Sequence, residues 1–160
     1  MIRRISRNDI EKCTEVIKAS FLTVANEFGI TQKNAPTHTA FIKSEKLYKQ
    51  FEQENRFMFA YFWGDQIIGY FSLVINSENL SCELENLAVL PSYRHNGYGR
   101  EIIEFAVDFA KKANCNKITI GMIEENSILK SWYQSLGFIH IYSKKYDSLP
   151  FTSGYMEFEL

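Results

Sequence analysis

Residues 83–100 constrain the fold of this chain more than any other stretch. Their first half predicts a β-strand that ends at Pro91, because proline has no N–H to donate to a sheet. Gly97 and Gly99 follow, and a helical pattern of apolar residues begins directly after them. Such a loop can direct several backbone N–H groups, with the positive end of the helix dipole, toward one point. The stretch predicts a phosphate or pyrophosphate site, at which side chains at positions 97 and 99 would hold the ligand away from the backbone.

Two other phosphate-binding arrangements fit this glycine loop less well. A Rossmann fingerprint needs a third glycine near the first strand of a βαβ unit, whereas the sequence has Ile102 at that position. A P-loop needs Gly-Lys-Ser or Gly-Lys-Thr, and no such tripeptide follows the loop.

The spacing of apolar residues predicts elements in the order β-α-α-β-β-β-α-β-α-β-β. The strands are predicted at 2–6, 56–63, 67–75, 81–90, 117–123, 138–146 and 155–160. The first, second and fourth helices are predicted to be capped by Asn8 or Asp9, by Ser44, and by Asn126 or Ser127, and the third helix is predicted at roughly 99–113. The strand at 117–123 follows a helical crossover, so we expect it to lie parallel to the strand at 81–90. The prediction is one mixed α/β (α+β) domain over residues 1–160.

The composition excludes several kinds of protein. The formal net charge is -1, whereas a broad nucleic-acid surface needs a basic excess. No apolar run approaches the roughly 20 residues of a membrane span, and the N-terminus lacks the apolar region of a signal peptide. The cysteines are widely spaced and fit reduced thiols, and the histidines lack metal-ligand spacing. We therefore expect a cytoplasmic protein without a metal, a membrane segment or a nucleic-acid partner.

Three motifs, in this order, resemble those of the GCN5-related N-acetyltransferase (GNAT) family. The segment 87–89, Leu-Ala-Val, resembles the end of the family's fourth strand. The segment 94–99, Arg-His-Asn-Gly-Tyr-Gly, matches the family's pyrophosphate pattern Gln/Arg-x-x-Gly-x-Gly/Ala. Asn126, Tyr133 and the segment 136–138, Leu-Gly-Phe, resemble its later motif, in which a short helix ends in Gly-Phe.

This resemblance implies an acyl-CoA N-acyltransferase fold, with a partly splayed sheet of about six or seven strands flanked by about four helices. It implies direct transfer of an acetyl group from acetyl-CoA to a primary amine of a small molecule, peptide or protein. Backbone groups of Leu87, Ala88 and Val89 would pair with the pantetheine arm between the splayed strands, with the Leu87 N–H facing the developing oxyanion. The residues that the resemblance assigns to the pyrophosphate are Arg94, His95, Asn96, Gly97, Tyr98, Gly99 and Arg100.

The resemblance assigns roles to three further residues, each of which also has a structural interpretation. Tyr133 matches the family tyrosine that donates toward the CoA sulfur, although its helical apolar stripe also fits a core aromatic. Asn126 either bonds to the pantetheine amide or caps the helix that follows. Glu83 matches a position where some members carry a general base, and it shares a strand face with Glu85. One of these carboxylates, or a water between them, could accept the amine proton; alternatively both are solvated.

The acceptor is expected to enter over the first two helices and their loop, at about residues 21–50, where His38 stands out as polar. Two other functions fit the same motifs. The chain could bind or sense acyl-CoA without catalysis, or it could keep only the fold as an interaction protein. Dimers are common in the family, so a homodimer through the aromatic C-terminal strands is a further expectation.

Overall fold

The computed structural model describes residues 1–160, and its elements follow the predicted order. The strands are β1 (Ile2–Arg4), β2 (Phe57–Trp63), β3 (Gln66–Asn76), β4 (Ser81–Val89), β5 (Lys117–Ile123), β6 (Ile139–Lys145) and β7 (Thr152–Glu159). The α-helices are α1 (Ile10–Glu27), α2 (Ser44–Gln53), α3 (Tyr98–Lys112) and α4 (Ser127–Ser135). Short 3-10 turns lie at Arg7–Asp9, Thr39–Phe41 and Pro91–Tyr93. None of the helices is long and apolar enough to cross a membrane.

All strands form one sheet in the order β1-β2-β3-β4-β5-β7-β6. Neighbouring strands are antiparallel except β4 and β5, which are parallel as the helical crossover predicts. The β4–β5 ladder covers Ser81–Glu83 opposite Lys117–Thr119 and then stops. Beyond that point the two strands diverge, so the mixed, partly splayed sheet with its seven strands and four helices is confirmed.

Helices cover both faces of the sheet. On one face, Ile102 of α3 and Tyr133 of α4 belong to the same apolar cluster as Phe71. On the other face, Leu47 of α2 belongs to a second cluster with Tyr70. Tyr70 and Phe71 are adjacent in β3, and they enter different layers because successive side chains of a strand point to opposite faces. The cleft between β4 and β5 is therefore reached from an α3/α4 side and from an α1/α2 side.

Two predicted details at the element ends are wrong. Ser44 is not the cap of α2, because the helix begins at Ser44 itself and the preceding Lys43 makes no side-chain capping bond. β7 begins at Thr152 rather than at residue 155. The segment Ser153-Gly154 looks like a loop in the sequence, but it pairs with the end of β5. A Cβ at Gly154 would collide with the Glu124 carboxylate, so this glycine serves close packing inside a strand.

Asp9 closes the turn before α1. Its carboxylate accepts hydrogen bonds from the Ser6 N–H at 2.8 Å and from the Ser6 hydroxyl at 3.0 Å. Asp9 therefore stands at the start of the first helix, as predicted. Its side chain stabilises the preceding 3-10 turn and makes no capping bond to α1.

Gly137, directly after α4, generates a test of the packing. Its φ is +106°, and a Cβ there would lie 2.9 Å from the Phe158 ring. Gly29, after α1, has φ +64° and open space around it. We expect Gly29→Ala to lower the free energy of unfolding by about 1–2 kcal/mol, the cost of the left-handed conformation. Gly137→Ala should lower the free energy of unfolding by roughly 1–3 kcal/mol more than Gly29→Ala does, because of the clash with Phe158. Urea unfolding followed by circular dichroism measures both, and equal losses would contradict the assigned clash.

Candidate functional site

The divergence of β4 and β5 leaves a cleft of about 980 Å³. On the α3/α4 side it is lined by the loop around Gly97, the start of α3 and one face of α4. On the α1/α2 side it is lined by α1, the α1–α2 loop and the β6–β7 loop. The cleft is large enough for a cofactor-sized ligand and an acceptor together.

A β-bulge lies in β4 where the strand leaves β5. Ser72 pairs with Glu85 and Tyr70 pairs with Ala88, so two β4 residues stand opposite Phe71 alone. The first of them, Asn86, has φ +53°. A bulge bends its strand and redirects the backbone groups beside it. Because the ladder to β5 has already ended, β5 does not pair with the backbone groups of the following segment 87–89, and of these the Val89 carbonyl oxygen accepts a hydrogen bond from Arg94.

The glycine loop holds two residues in the left-handed region. His95 has φ +64° and Gly97 has φ +89°, and α3 begins at Tyr98. Nothing lies within 4 Å of a Cβ built on Gly97, so this glycine is needed for its backbone angle and for close approach of a ligand. The first N–H groups of α3 have no partner inside the helix. They can hold an anion at the mouth of the cleft.

Gly99 is required for a packing contact that could not be predicted from the sequence. A Cβ at this position would lie 3.1 Å from the indole of Trp132, so the missing side chain allows α3 and α4 to pack closely. Trp132 also lines the cleft. Asn96 does not line the cleft, and its amide donates to the carbonyl oxygens of Tyr93 at 3.2 Å and Arg94 at 2.9 Å.

The guanidinium of Arg94 braces the loop. It donates to the Val89 carbonyl oxygen at 3.1 Å, to the Ser20 carbonyl oxygen at 2.8 Å and to the Thr23 hydroxyl at 3.0 Å. Burial lowers the pKa of Arg94 from its high ordinary value. Three of its donors are thus directed to protein oxygens on β4 and α1. The sequence motif did not predict these contacts. Any contact of Arg94 with a pyrophosphate stays a prediction.

Tyr133 is 7% exposed and lines the cleft from α4. Its ring lies 4.9 Å from that of Trp132 and 5.3 Å from that of Phe138, so the core and cleft interpretations both apply. Burial raises the pKa of the Tyr133 phenol, and no charged neighbour contributes to the shift. The group is therefore a neutral hydroxyl that can donate a hydrogen bond. Asn126 also lines the cleft, and its Oδ1 caps α4 by accepting the Leu129 N–H at 3.2 Å.

Glu83 and Glu85 share the α1/α2 face of β4, since Leu84 between them belongs to the α3 layer. Glu85 is ion-paired with Arg56, whose guanidinium also binds Glu54 at 2.9 Å. Partial burial, and then the charge of Glu85, raise the pKa of Glu83. Glu83 does not line the cleft directly, so a water would have to join it to the acceptor.

The predicted site residues are therefore largely brought together. Those that line the cleft are Leu87, Ala88, Val89, Arg94, His95, Gly97, Tyr98, Gly99, Arg100, Asn126 and Tyr133. Glu83 and Asn96 lie outside its lining. No group of three or more His, Cys, Asp or Glu side chains is placed to hold a metal ion.

His38 lies on the α1/α2 side of the cleft. Its Nδ1 accepts the Ala40 N–H at 3.1 Å, and its ring lies 6.1–6.2 Å from those of Phe21, Phe41 and Phe151. Burial lowers the pKa of His38, so the imidazole is neutral and carries its proton on Nε2. It can donate from Nε2 to a ligand.

The bracing role of Arg94 can be tested with coenzyme A, the ligand that the resemblance implies. Arg94→Gln removes bonds that tie the loop to α1, so we expect the dissociation constant of coenzyme A to rise by roughly 10-fold or more. Arg7→Gln removes the same charge from an exposed pair with Glu52 and is the matched control. Isothermal titration calorimetry measures both. Equal affinity in Arg94→Gln and the native protein would show that the brace does not shape the site.

Comparison with known proteins agrees with this geometry. A model of the acetyltransferase (GNAT) family matches residues 25–138. An uncharacterised N-acetyltransferase from the pepI 3' region of Lactobacillus delbrueckii subsp. lactis is 24% identical over 147 residues, covering 85% of this chain and 82% of that protein.

Two solved structures share the fold. The PaiA N-acetyltransferase of Thermoplasma acidophilum, in complex with coenzyme A, has a TM-score of 0.80 at 22% identity over 100% of this chain and 98% of that chain. YncA of Salmonella typhimurium, with its cofactor acetyl-CoA, has a TM-score of 0.77 at 16% identity over 100% and 93%. Because the family model covers most of the chain, the protein belongs to the GNAT family and is an acetyl-CoA-dependent N-acetyltransferase.

Proposed function

We propose that this enzyme acetylates the primary amine of a small molecule or a peptide, by direct attack of an amine that enters from the α1/α2 side. The observation that carries the proposal is one cleft that joins a glycine loop at a helix N-terminus, a strand edge that β5 leaves unpaired and a protonated tyrosine. Acetyl-CoA supplies the thioester, whose C–S bond breaks as the C–N bond to the amine forms.

The α3/α4 side of the cleft fits the pyrophosphate and the pantetheine arm. The N–H groups after Gly97 face the cleft mouth, where the open space at Gly97 lets an anion reach the backbone. Backbone groups of Leu87–Val89 would bind the arm as an added strand, because β5 does not pair with this segment. The Leu87 N–H would donate to the thioester oxygen as its negative charge develops.

Tyr133 serves the leaving sulfur in this mechanism. Because burial raises the pKa of the phenol, full transfer of its proton would leave a costly buried tyrosinate. The hydroxyl therefore stabilises the leaving thiolate mainly by a hydrogen bond. The proton lost by the attacking amine passes through a water to Glu83 and then to solvent, and the leaving thiolate takes up a proton from solvent, so the overall reaction releases neutral thiol and amide.

Thiol release tests the function itself. The native protein is incubated with acetyl-CoA and a panel of primary amines, and free thiol is measured against time. Release that depends on an amine supports the proposal. A protein that binds acetyl-CoA in calorimetry but releases no thiol with any amine would instead be an acyl-CoA sensor.

Tyr133→Phe should lower kcat by roughly 10²-fold, by analogy with removing one donor from a site of developing charge. The affinity for acetyl-CoA should stay within about 3-fold, since the ring and its packing remain. Tyr142→Phe is the matched control, because Tyr142 is 52% exposed on β6 and lies outside the cleft. Steady-state kinetics and calorimetry separate the two quantities. A native kcat in Tyr133→Phe would assign the tyrosine to the core alone.

The role of Glu83 predicts a pH dependence. Glu83 accepts a proton only when ionised, and its pKa is raised, so kcat should rise with pH through a value above the ordinary range of a glutamate. Glu83→Gln should remove this rise and lower kcat by roughly 10²-fold.

Glu85→Gln is the informative partner of that variant. This substitution removes the negative charge that raises the pKa of Glu83, whereas Arg56 still lowers that pKa. The rise of kcat should therefore move to lower pH. An identical pH profile in the native protein and Glu83→Gln would leave water as the only proton acceptor.

A further inference from the structure

Apolar and aromatic side chains cluster at the α1/α2 end of the cleft, and we name this cluster the acceptor chamber. The cluster consists of Phe21, Val24, His38, Leu149, Phe151 and Tyr155. These residues come from α1, the α1–α2 loop, the β6–β7 loop and β7. The polar residues Ser20, Thr23, Thr39 and Ser153 also line this end of the cleft, which lies on the face of the sheet opposite α3.

The walls of the chamber are held in place by polar contacts behind them. Lys145 donates its ammonium protons to the Leu149 and Phe151 carbonyl oxygens, which fixes the β6–β7 loop. The Thr39 hydroxyl bonds to the Asn86 side chain at 3.2 Å, which ties the α1–α2 loop to the β4 bulge. The chamber is therefore built before a ligand arrives, and a rigid apolar site loses less entropy on binding.

The charges around the chamber restrict what can enter it. Glu27, exposed at the end of α1, is the only carboxylate among the residues that line the cleft. Arg94 already donates to three protein oxygens. His38 is neutral, and its Nδ1 is occupied by the Ala40 N–H. A polyamine would bury further ammonium groups without carboxylate partners, which is costly.

We propose that the acceptor is a monoamine with an apolar body, such as an arylalkylamine, whose ring or chain lies between Phe21, His38 and Phe151. This inference rests on the proposed function and specifies its substrate class. The apolar body gains roughly 25 cal/mol for each Å² of surface removed from water. Edge-to-face contacts with the three rings favour an aromatic group further. The amino group is directed toward the β4 bulge, where Asn86 lines the cleft.

Competition among amines tests the substrate class. Thiol release from acetyl-CoA is measured for 2-phenylethylamine, hexylamine, spermidine and a hexapeptide with an N-terminal alanine. We expect kcat/KM for the two monoamines to exceed the other values by about tenfold or more. Their KM should change little with salt, because the recognition is apolar. A preference for spermidine or the peptide would overturn this inference while supporting the proposed function.

A pair of variants checks the location. Phe151→Ala enlarges the chamber, so KM for 2-phenylethylamine should rise by roughly 10-fold while KM for ethylamine changes little. Phe41→Ala is the matched control, because Phe41 contacts the same His38 ring but does not line the cleft. Thermal unfolding of both variants separates loss of binding from loss of fold. Equal KM in the two variants would overturn the assigned chamber, and no thiol release with any amine would overturn both the chamber and the proposed function.

Discussion

The early end of the β4–β5 ladder is the feature on which the rest of the structure depends. In a closed sheet the backbone groups of both strands would satisfy each other, and an unpaired edge inside a sheet is otherwise unfavourable. Here the pairing ends at Glu83 and Thr119, and the open edge faces a cleft. In the proposed function, this edge of β4 binds the pantetheine arm, which takes the place of an added strand.

Several contacts keep the two strands apart. The bulge at Asn86 turns β4 away from β5, and Arg94 then fastens the end of β4 to α1. On the opposite wall, the absence of a side chain at Gly99 lets Trp132 approach α3, which sets the distance between α3 and α4. The cleft is therefore defined by packing on both sides of the sheet. The same packing positions Tyr133, whose hydroxyl we propose as the donor to the leaving sulfur.

The sequence predicted the parts of this arrangement that depend on local pattern. The order of the strands and helices follows from apolar periodicity, the parallel pair follows from the crossover, and the tight loop before α3 follows from Gly97 and Gly99. The parts that were missed depend on contacts between distant residues. Arg94 meets Ser20 across 74 positions, and Arg56 meets Glu85 across 29. Neither partner can be identified from one sequence, because many residues of suitable chemistry lie at comparable distances along the chain.

Backbone angles were missed for a different reason. A positive φ is usual for glycine, so Gly97 was a natural candidate, whereas His95 and Asn86 adopt the same region without any sign in the sequence. Their conformations are imposed by the turn and by the bulge, and tertiary contacts must offset the strain.

The position of Arg94 has a thermodynamic consequence. Its guanidinium joins the glycine loop to Ser20 and Thr23, which line the cleft from α1, the helix that also supplies Phe21 to the acceptor chamber. One side chain thus connects the proposed coenzyme end of the cleft with the proposed acceptor end. Any coupling of binding free energies that this side chain transmits is reciprocal, so that the occupant of one end alters the affinity of the other end by the same factor in both directions.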